Sequence, residues 1–201
     1  MATDRLGDVL DATYTCLTRY GVRRTTVDDI AGEMGVSRSA VYQYVRGKDD
    51  AVRRLARRLH DRALERAEAA AASGAPTAER VHGILAAKLG LVLDLVGGSP
   101  HTAELVDTKA RLSGDICDAF TERLRELLTA QFAAAGARGA GGAVDGAPAR
   151  AADICLALVI GLESTPDAAN LLRPATDALL TGLLPAPSTT PVPSATSLRN
   201  S

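Results

Sequence analysis

The chain has 201 residues, of which 46% are hydrophobic and 3% aromatic, and its 23 basic and 24 acidic side chains leave a formal net charge of −1. This length is sufficient for one domain, or for a small domain joined to a larger one. The longest apolar stretch without a charge, Ile154–Leu162, covers only nine residues, whereas a membrane-spanning helix needs roughly twenty. We therefore expect neither a transmembrane helix nor a membrane partner.

The N-terminus and the cysteines indicate a reduced intracellular compartment. Residues 1–5 mix an acid with a base and lead into no continuous apolar segment, so they do not have the pattern of a secretory signal, and we expect a cytoplasmic protein. Cys16, Cys117 and Cys155 are odd in number and far apart, which fits neither a disulfide framework nor a CxxC metal site. We interpret them as reduced core residues, with thiol sensing as the less favoured alternative. We expect no metal and no cofactor.

Apolar residues recur at spacings of three and four along most of the chain, and this pattern predicts an all-α protein. The first predicted helix covers about 6–20 and ends at Gly21. The second covers about 27–34, between a cap at Thr26 and a turn at Gly35.

The third predicted helix is capped by Ser37, runs to about Val45 and is ended by Gly47. The fourth is longer and runs from near Lys48 to about Ala72. Further helices are predicted at about 77–96, 101–112, 115–135, 149–163 and 167–184.

The basic side chains are concentrated at the front, where residues 1–60 hold 11 Lys/Arg against 8 Asp/Glu. The fourth helix carries four arginines that pair at a spacing of four: Arg53, Arg54, Arg57 and Arg58. A cationic helix flank of this kind favours a polyanionic partner. An ordinary solvated helix face explains the same four residues equally well.

Residues 25–45 have the spacing of a helix-turn-helix motif. Ala31 is small, as it must be where the second helix of the pair crosses closely, and Gly35 supplies the left-handed backbone that sharpens the turn. The apolar positions around them are Val27, Ile30, Met34, Val36 and Val41. The small residue, the glycine and the apolar positions together predict a DNA-binding motif.

The third helix has an outward face that suits base edges, since Val41 and Val45 point toward the core. Arg38 fits guanine O6 and N7, Gln43 fits adenine N6 and N7, and Ser39 can bond to either base. The other predicted DNA-binding residues suit phosphate oxygens or lie at helix N-termini, which attract them: Thr26, Ser37, Tyr42, Tyr44 and Lys48. Simpler alternatives remain: a half-buried packing role for either tyrosine, with Tyr44 the stronger case, and a plain surface charge for Arg38.

These residues resemble the DNA-binding signature of the TetR family of bacterial transcriptional regulators. The resemblance covers about residues 5–58 and includes Tyr20-Gly21, residues 25–31, Gly35-Val36-Ser37, residues 41–45 and Lys48-Asp49. The chain departs from the family pattern at Val45, where a phenylalanine is usual, and at Ala51-Val52, where a leucine is common. Both departures keep the position apolar.

The resemblance implies a homodimer whose last two helices form a four-helix interface, with a small-molecule pocket inside each C-terminal domain. It divides the chain into a helix-turn-helix DNA-binding domain at 1–47, a helical effector-binding and dimerisation domain at 48–184, and a tail at 185–201. The tail, rich in proline, serine, threonine and alanine, is predicted to be disordered, and glycine-rich 136–148 to be a flexible loop. The high apolar content of the last two helices independently favours an interface.

The candidate pocket lining is mostly aliphatic and comprises His82, Leu85, Leu89, Leu105, Leu112, Ile116 and Phe120. It favours an apolar or weakly polar effector. We therefore expect a sequence-specific regulator, most simply a repressor, that a small effector releases from a palindromic operator. The alternative is a DNA-binding protein of the same fold that acts without a small molecule, as an architectural or protein-partnered factor. An enzyme is disfavoured because no GxSxG, HExxH, Walker or Cys/His motif is present.

Overall fold

The computed structural model describes residues 4–96, 101–136 and 147–184 and is all-helical in these ranges. Its eight helices are α1 (Arg5–Tyr20), α2 (Val27–Met34), α3 (Arg38–Val41), α4 (Lys48–Ala72), α5 (Thr77–Val96), α6 (Thr102–Ala134), α7 (Ala147–Leu162) and α8 (Ala168–Leu183). The all-α prediction is confirmed. None of the helices in these ranges has the length and hydropathy of a bilayer-spanning segment.

The first two helices begin and end where the sequence predicts. Thr26 accepts a hydrogen bond from the backbone N–H of Asp29, while the Asp29 carboxylate accepts one from the backbone N–H of Thr26. This reciprocal arrangement satisfies two backbone donors that the start of a helix would otherwise leave unpaired. At the other end, Gly35 has φ 65° and ψ 30°, the left-handed conformation predicted for the turn.

The third helix is shorter than predicted. Ser37 caps it as expected, but the regular helix covers only Arg38–Val41. The chain then tightens into turns, in which Gln43 donates to the carbonyl of Ala40 and Tyr44 to that of Val41, three residues back rather than four. Gly47, predicted to end α3, instead stands immediately before α4 as its N-cap.

The helices predicted at 101–112 and 115–135 form one element, α6, with a kink. Ser113 interrupts it with φ −140° and ψ 17°. The prediction of two helices was therefore wrong about continuity but right about the position of the break. Helix α7 begins at Ala147, so the last two residues of the predicted loop 136–148 are helical, as a proline in a first turn allows. Residues 137–146 and the predicted tail lie outside the described ranges.

Three clusters of buried side chains organise the fold. The first packs α1, α2 and α3 together around Val9, Ile30 and Val41. The largest packs the five helices from α4 through α8 together around fully buried Leu128 and Phe132. A third, with residues of α1 and α4, lies beside the first.

Helix α4 belongs to all three clusters. Ala51 packs in the first, Val52 and Leu55 in the third, and Ala63 and Ala67 in the largest. Its first two turns thus complete the core of the N-terminal helices, and its remainder builds the C-terminal core. The division of the chain at residue 47 stays a prediction.

Two glycines in and after α2 provide a matched test of the turn. Gly32 lies in helical backbone with open space where a Cβ would be, whereas Gly35 has open space but a positive φ. We expect Gly32→Ala to raise the free energy of unfolding by up to about 1 kcal/mol. Gly35→Ala should lower it by about 1–2 kcal/mol, because a left-handed backbone is strained for alanine. Urea unfolding of both variants measures the two changes in free energy. Equal changes would contradict the left-handed backbone assigned to Gly35.

Candidate nucleic-acid interface

The turn between α2 and α3 fixes how α3 lies on the N-terminal core. The backbone N–H groups of Gly35 and Val36 both donate to carbonyls at the end of α2, and Val36 reaches the carbonyl of Ala31 at 3.0 Å. Val41 is fully buried on the inner side of α3. On the opposite side, Arg38 and Ser39 of α3 and Gln43 of the turn that follows are exposed to solvent. The structure thus brings the three predicted base-contacting residues onto one accessible surface.

Arg38 is held in place by its neighbours. Its guanidinium donates to the Tyr42 hydroxyl at 3.1 Å, lies 5.4 Å from the centre of the Tyr42 ring, and pairs with the Asp28 carboxylate at 3.4 Å. The Tyr42 hydrogen bond and the Asp28 charge raise the pKa of Arg38 further above its ordinary value, so the side chain stays cationic. Tyr42 is 43% exposed, and its role as a phosphate contact stays a prediction.

The hydroxyl groups at the two helix starts are already engaged. Ser37 accepts from the backbone N–H of Ala40 and shares a 2.9 Å hydrogen bond with Ser39. The Thr26 hydroxyl donates to Asp29, and the Thr26 hydrogen bonds lower the pKa of that carboxyl. Thr26 and Ser37 therefore act first as helix caps. A phosphate bound there would compete with Asp29 and Ser39 for hydrogen bonds of these two hydroxyls.

Tyr44 and Lys48 differ from the other predicted contacts because both are half-buried. Tyr44 packs against the first cluster, which favours the packing alternative for its ring. The Lys48 ammonium donates to the backbone carbonyls of Val22 and Arg23, at 3.1 and 3.5 Å. Lys48 thus ties the start of α4 to the loop between α1 and α2.

This loop also contacts α6 and carries basic residues that sequence patterns did not select. The backbone N–H of Arg23 donates to the Glu104 carboxylate at 3.2 Å. Arg23 and Arg24 are exposed beside the capped start of α2, and Arg46 is exposed just before α4. Helical periodicity does not single out such loop residues, although a basic pair just before a helix cap is a signal that could have found them.

The arginine flank of α4 turns inward to carboxylates, which neither interpretation of its four residues anticipated. Arg54 pairs with Asp50 at 3.0 Å, and Arg58 pairs with Asp11 of α1 at 2.6 Å. Arg53 donates through Nη1 to the Leu112 carbonyl and to Asp115, both at 2.7 Å. The pairs of Arg53 and Arg58 hold α4 against the kink of α6 and against α1, whereas the pair of Arg54 with Asp50 lies within α4 itself.

The residues predicted to line a pocket are distributed over different parts of the described core. Leu85, Leu89 and Phe120 are buried in the largest cluster, and Ile116 is also buried. Leu112 packs instead against the cluster of α1 and α4. His82 is half-buried near the charges of Arg173, Glu79 and Asp177, with a lowered pKa caused first by burial. Leu105 has its side chain outside the described part of the structure. The pocket stays a prediction.

Comparison with known proteins identifies the N-terminal motif. A family model described as bacterial regulatory proteins, tetR family, matches residues 9–55. No curated protein matches the chain significantly. The matched segment comprises most of α1, then α2 and α3, and the start of α4, which contain the exposed α3 surface described above.

Solved structures match over nearly the whole chain. A regulator of the TetR/AcrR family from Thermobifida fusca is 24% identical, with a TM-score of 0.63, covering 89% of this chain and 98% of its own. SmeT, the repressor of the Stenotrophomonas maltophilia efflux pump SmeDEF, is 21% identical with a TM-score of 0.66 and coverage of 95% and 98%. KstR2, a ketosteroid transcriptional regulator of Mycobacterium tuberculosis, is 19% identical with a TM-score of 0.59 and coverage of 92% and 98%. This likeness establishes the fold.

The ion pair between Arg53 and Asp115 predicts an acid dependence of stability. The Arg53 hydrogen bond lowers the pKa of Asp115 to about 2, below the value of about 3.9 expected in the unfolded chain. A depressed folded-state pKa means that the pair stabilises the fold above pH 4 and is lost as the pH falls through 2. We expect wild type to be more stable than Asp115→Asn at pH 5–7, with a difference that vanishes toward pH 2.

Urea unfolding from pH 7 to 2 measures this difference. Asp118→Asn, which changes an exposed carboxylate one turn further along α6, is the matched control and should show a smaller effect. A difference between wild type and Asp115→Asn that does not change with pH would contradict the assignment.

Proposed function

We propose that this chain is a regulator of the TetR family, that it represses transcription from a palindromic operator, and that a small apolar effector releases it. The match of residues 9–55 to the tetR family model and the fold shared with solved regulators support the family. The observation that carries the proposal is the exposed surface of α3. Arg38 and Ser39 lie opposite buried Val41 on a short helix that a left-handed glycine turn orients, and Gln43 is exposed in the turn that follows. In this proposal Arg38 reads guanine, Gln43 reads adenine, and Ser39 contacts an adjacent base.

Phosphate contacts would position this surface on the duplex. Tyr42 is exposed beside Arg38, and the capped starts of α2 and α3 place Thr26 and Ser37 where backbone N–H groups attract anions. Lys48 adds a positive charge at the start of α4. Its hydrogen bonds to the loop carbonyls suggest a double role, in which it positions the loop and attracts the phosphates. Tyr44 contributes only its hydroxyl, since its ring packs inward.

A homodimer explains the exposed apolar side chains of the last two helices. Ile154 and Ile160 of α7 and Leu171 of α8 are 40%, 50% and 40% exposed in the single chain. Large apolar side chains exposed on two neighbouring helices typically mark an interface. Two-fold symmetry would present two α3 helices to successive major grooves, about 34 Å apart, and would account for a palindromic site.

Release by an effector requires that the ligand prefer a conformation in which the two α3 helices are wrongly spaced. Helix α4 suits this role because it begins in the DNA-binding core and ends in the large C-terminal core. SmeT has been solved in complex with triclosan, which supports a small-molecule effector here. The alternative, a regulator without such an effector, is supported by the membership of Leu85, Leu89 and Phe120 in one cluster of buried core side chains at the predicted lining.

Selection of binding sites from random duplex DNA by the purified full chain tests the proposal. A palindromic site with two half-sites about one helical turn apart supports a dimeric sequence-specific regulator. The selected duplex then serves to screen small apolar compounds for release. Failure to enrich any sequence would overturn sequence-specific regulation. Unchanged DNA affinity across ligands that bind the protein would favour the effector-free alternative.

Two substitutions separate base reading from phosphate contact. Arg38→Ala should weaken binding to the selected site by about tenfold to a hundredfold and relax the choice at one base pair, with little effect on random DNA. Lys48→Ala should weaken binding to all sequences alike and reduce the dependence of affinity on salt. Titrations of both duplexes at several salt concentrations measure this. Identical behaviour of the two variants would contradict the assigned roles.

The dimer interface is tested by placing a charge on α7. Ile160→Glu would bury a carboxylate without a partner in the proposed interface, so we expect a monomer at micromolar concentration and loss of operator binding. Ala130→Glu, at an exposed position of α6, should leave both unchanged. Sedimentation velocity gives the oligomeric state. An Ile160→Glu variant that remains dimeric would show that this face of α7 is not the dimer interface.

A further inference from the structure

A thiol and an imidazole face each other between α4 and α6. His60 of α4 is buried, and its Nδ1 lies 2.7 Å from the carbonyl oxygen of Ala56. A carbonyl oxygen can only accept, so Nδ1 carries the proton, and in the neutral ring Nε2 is an acceptor. Nε2 lies 3.5 Å from Sγ of Cys117 on α6. The Phe120 ring packs edge-on against the imidazole, with centres 5.3 Å apart, and limits its movement.

The other two cysteines lie in different surroundings. Cys16 and Cys155 are completely buried. Burial raises the pKa of both thiols, that of Cys155 to about 11, so both stay protonated and shielded from reagents. Cys117 is partly exposed and has a base within reach. The chain therefore contains its own controls for thiol reactivity.

A buried hydroxyl lies one turn before the thiol on the same helix. Ser113 is 1% exposed, and its hydroxyl has no hydrogen-bond partner among the side chains and backbone that the structure describes. It lies at the kink of α6. An unpaired buried hydroxyl is costly, and a ligand that offers an acceptor oxygen would recover part of that cost. A thiol beside a base, with a buried hydroxyl donor one turn away, suits an electrophile that carries a carbonyl group.

We propose that Cys117 is a covalent modification site for small apolar α,β-unsaturated carbonyl compounds, with His60 as its base. The thiol proton passes from Sγ to Nε2 of His60, and the sulfur electron pair forms a bond to the β-carbon of the ligand. The π electrons of the C=C bond shift toward the carbonyl, giving an enolate to which Ser113 donates a hydrogen bond. The α-carbon then takes the proton back from the imidazolium. The reaction is an addition, with no leaving group and no oxidant.

The adduct has a mechanical consequence that rests on the proposed function. It would occupy the contact between α4 and α6, close to where Arg53 holds the Leu112 carbonyl and Asp115. Separation of the two helices there would move the start of α4, which packs in the DNA-binding core. Modification of Cys117 would therefore weaken operator binding.

The reaction is tested with methyl vinyl ketone and the folded full chain, followed by intact-mass measurement and peptide mapping. We expect one adduct, on Cys117, while Cys16 and Cys155 react only after unfolding in urea. Cys117→Ser should remove the adduct. His60→Gln should slow the reaction by about a hundredfold, as loss of a general base does. Equal rates at the three cysteines of the folded protein, or an unchanged rate in a folded His60→Gln variant, would overturn the proposal.

A second variant tests the role of the hydroxyl and does not depend on the stability of His60→Gln. Ser113→Ala should slow addition of methyl vinyl ketone but not alkylation by iodoacetamide, which displaces iodide without forming an enolate. Equal slowing of both reagents, or of neither, would overturn the assignment of Ser113.

The effect of the adduct on DNA affinity is measured separately, with the selected duplex. The adduct of wild type should bind at least tenfold more weakly than unmodified wild type, and Cys117→Ser should bind normally in the presence of the enone. If unmodified protein selects no duplex, the proposed function fails, while the adduct map still decides the proposal about Cys117. If the adduct forms and affinity is unchanged, its proposed effect on DNA binding is overturned.

Discussion

The fold depends on one helix that belongs to two hydrophobic cores. Ala51, near the start of α4, packs among the first three helices, and Ala63 and Ala67, further along, pack in the C-terminal core. Since an α-helix is held by continuous hydrogen bonds four residues apart, its two ends cannot move independently without breaking it. Small residues also let α4 lie close to its neighbours: a Cβ on Gly83 of α5 would come within 2.7 Å of the Cβ of Ala70. The two cores are thus joined by a stiff and closely packed element.

Polar contacts fasten the N-terminal helices to the rest of the molecule at several points around this element. The Tyr14 hydroxyl donates to the Asp94 carbonyl of α5 at 2.7 Å, and Glu104 of α6 accepts from the backbone of the loop after α1. Lys48 holds the same loop from the other side. A single hydrogen bond contributes little net stability, so these contacts set orientation more than stability. An arrangement of many weak contacts around one stiff helix can shift without unfolding.

The sequence predicted the elements well where local rules decide them. The capped starts at Thr26 and Ser37 and the left-handed turn at Gly35 follow from residue chemistry within a few positions, and all three are confirmed. The length of α3 was overestimated because apolar spacing does not distinguish a regular helix from successive tight turns. The continuity of α6 was missed because Ser113 and Gly114 are typical of a helix end, while Arg53, 59 residues away, satisfies the Leu112 carbonyl at the kink.

Predictions for the interface likewise succeeded where local contacts decide and failed where contacts distant in the sequence decide. The exposed side of α3 follows from its periodicity, so Arg38, Ser39 and Gln43 could be placed on one surface in advance. The partners of Lys48, Arg53 and Arg58 could not, because loop carbonyls and carboxylates that are distant in the sequence determine them. The dyad of His60 and Cys117 is similarly invisible in the sequence, where the two residues are 57 positions apart.

The contact between Arg38 and Asp28 has a consequence for discrimination between DNA sequences. A guanidinium paired with a carboxylate presents little net charge to a passing phosphate. In the proposed complex, Arg38 exchanges Asp28 for the two acceptors of guanine, and a base that offers fewer acceptors does not compensate for the lost ion pair. Asp28 would then act as a competitor built into the reading surface: it reduces the residence of the protein on unrelated DNA more than on its operator.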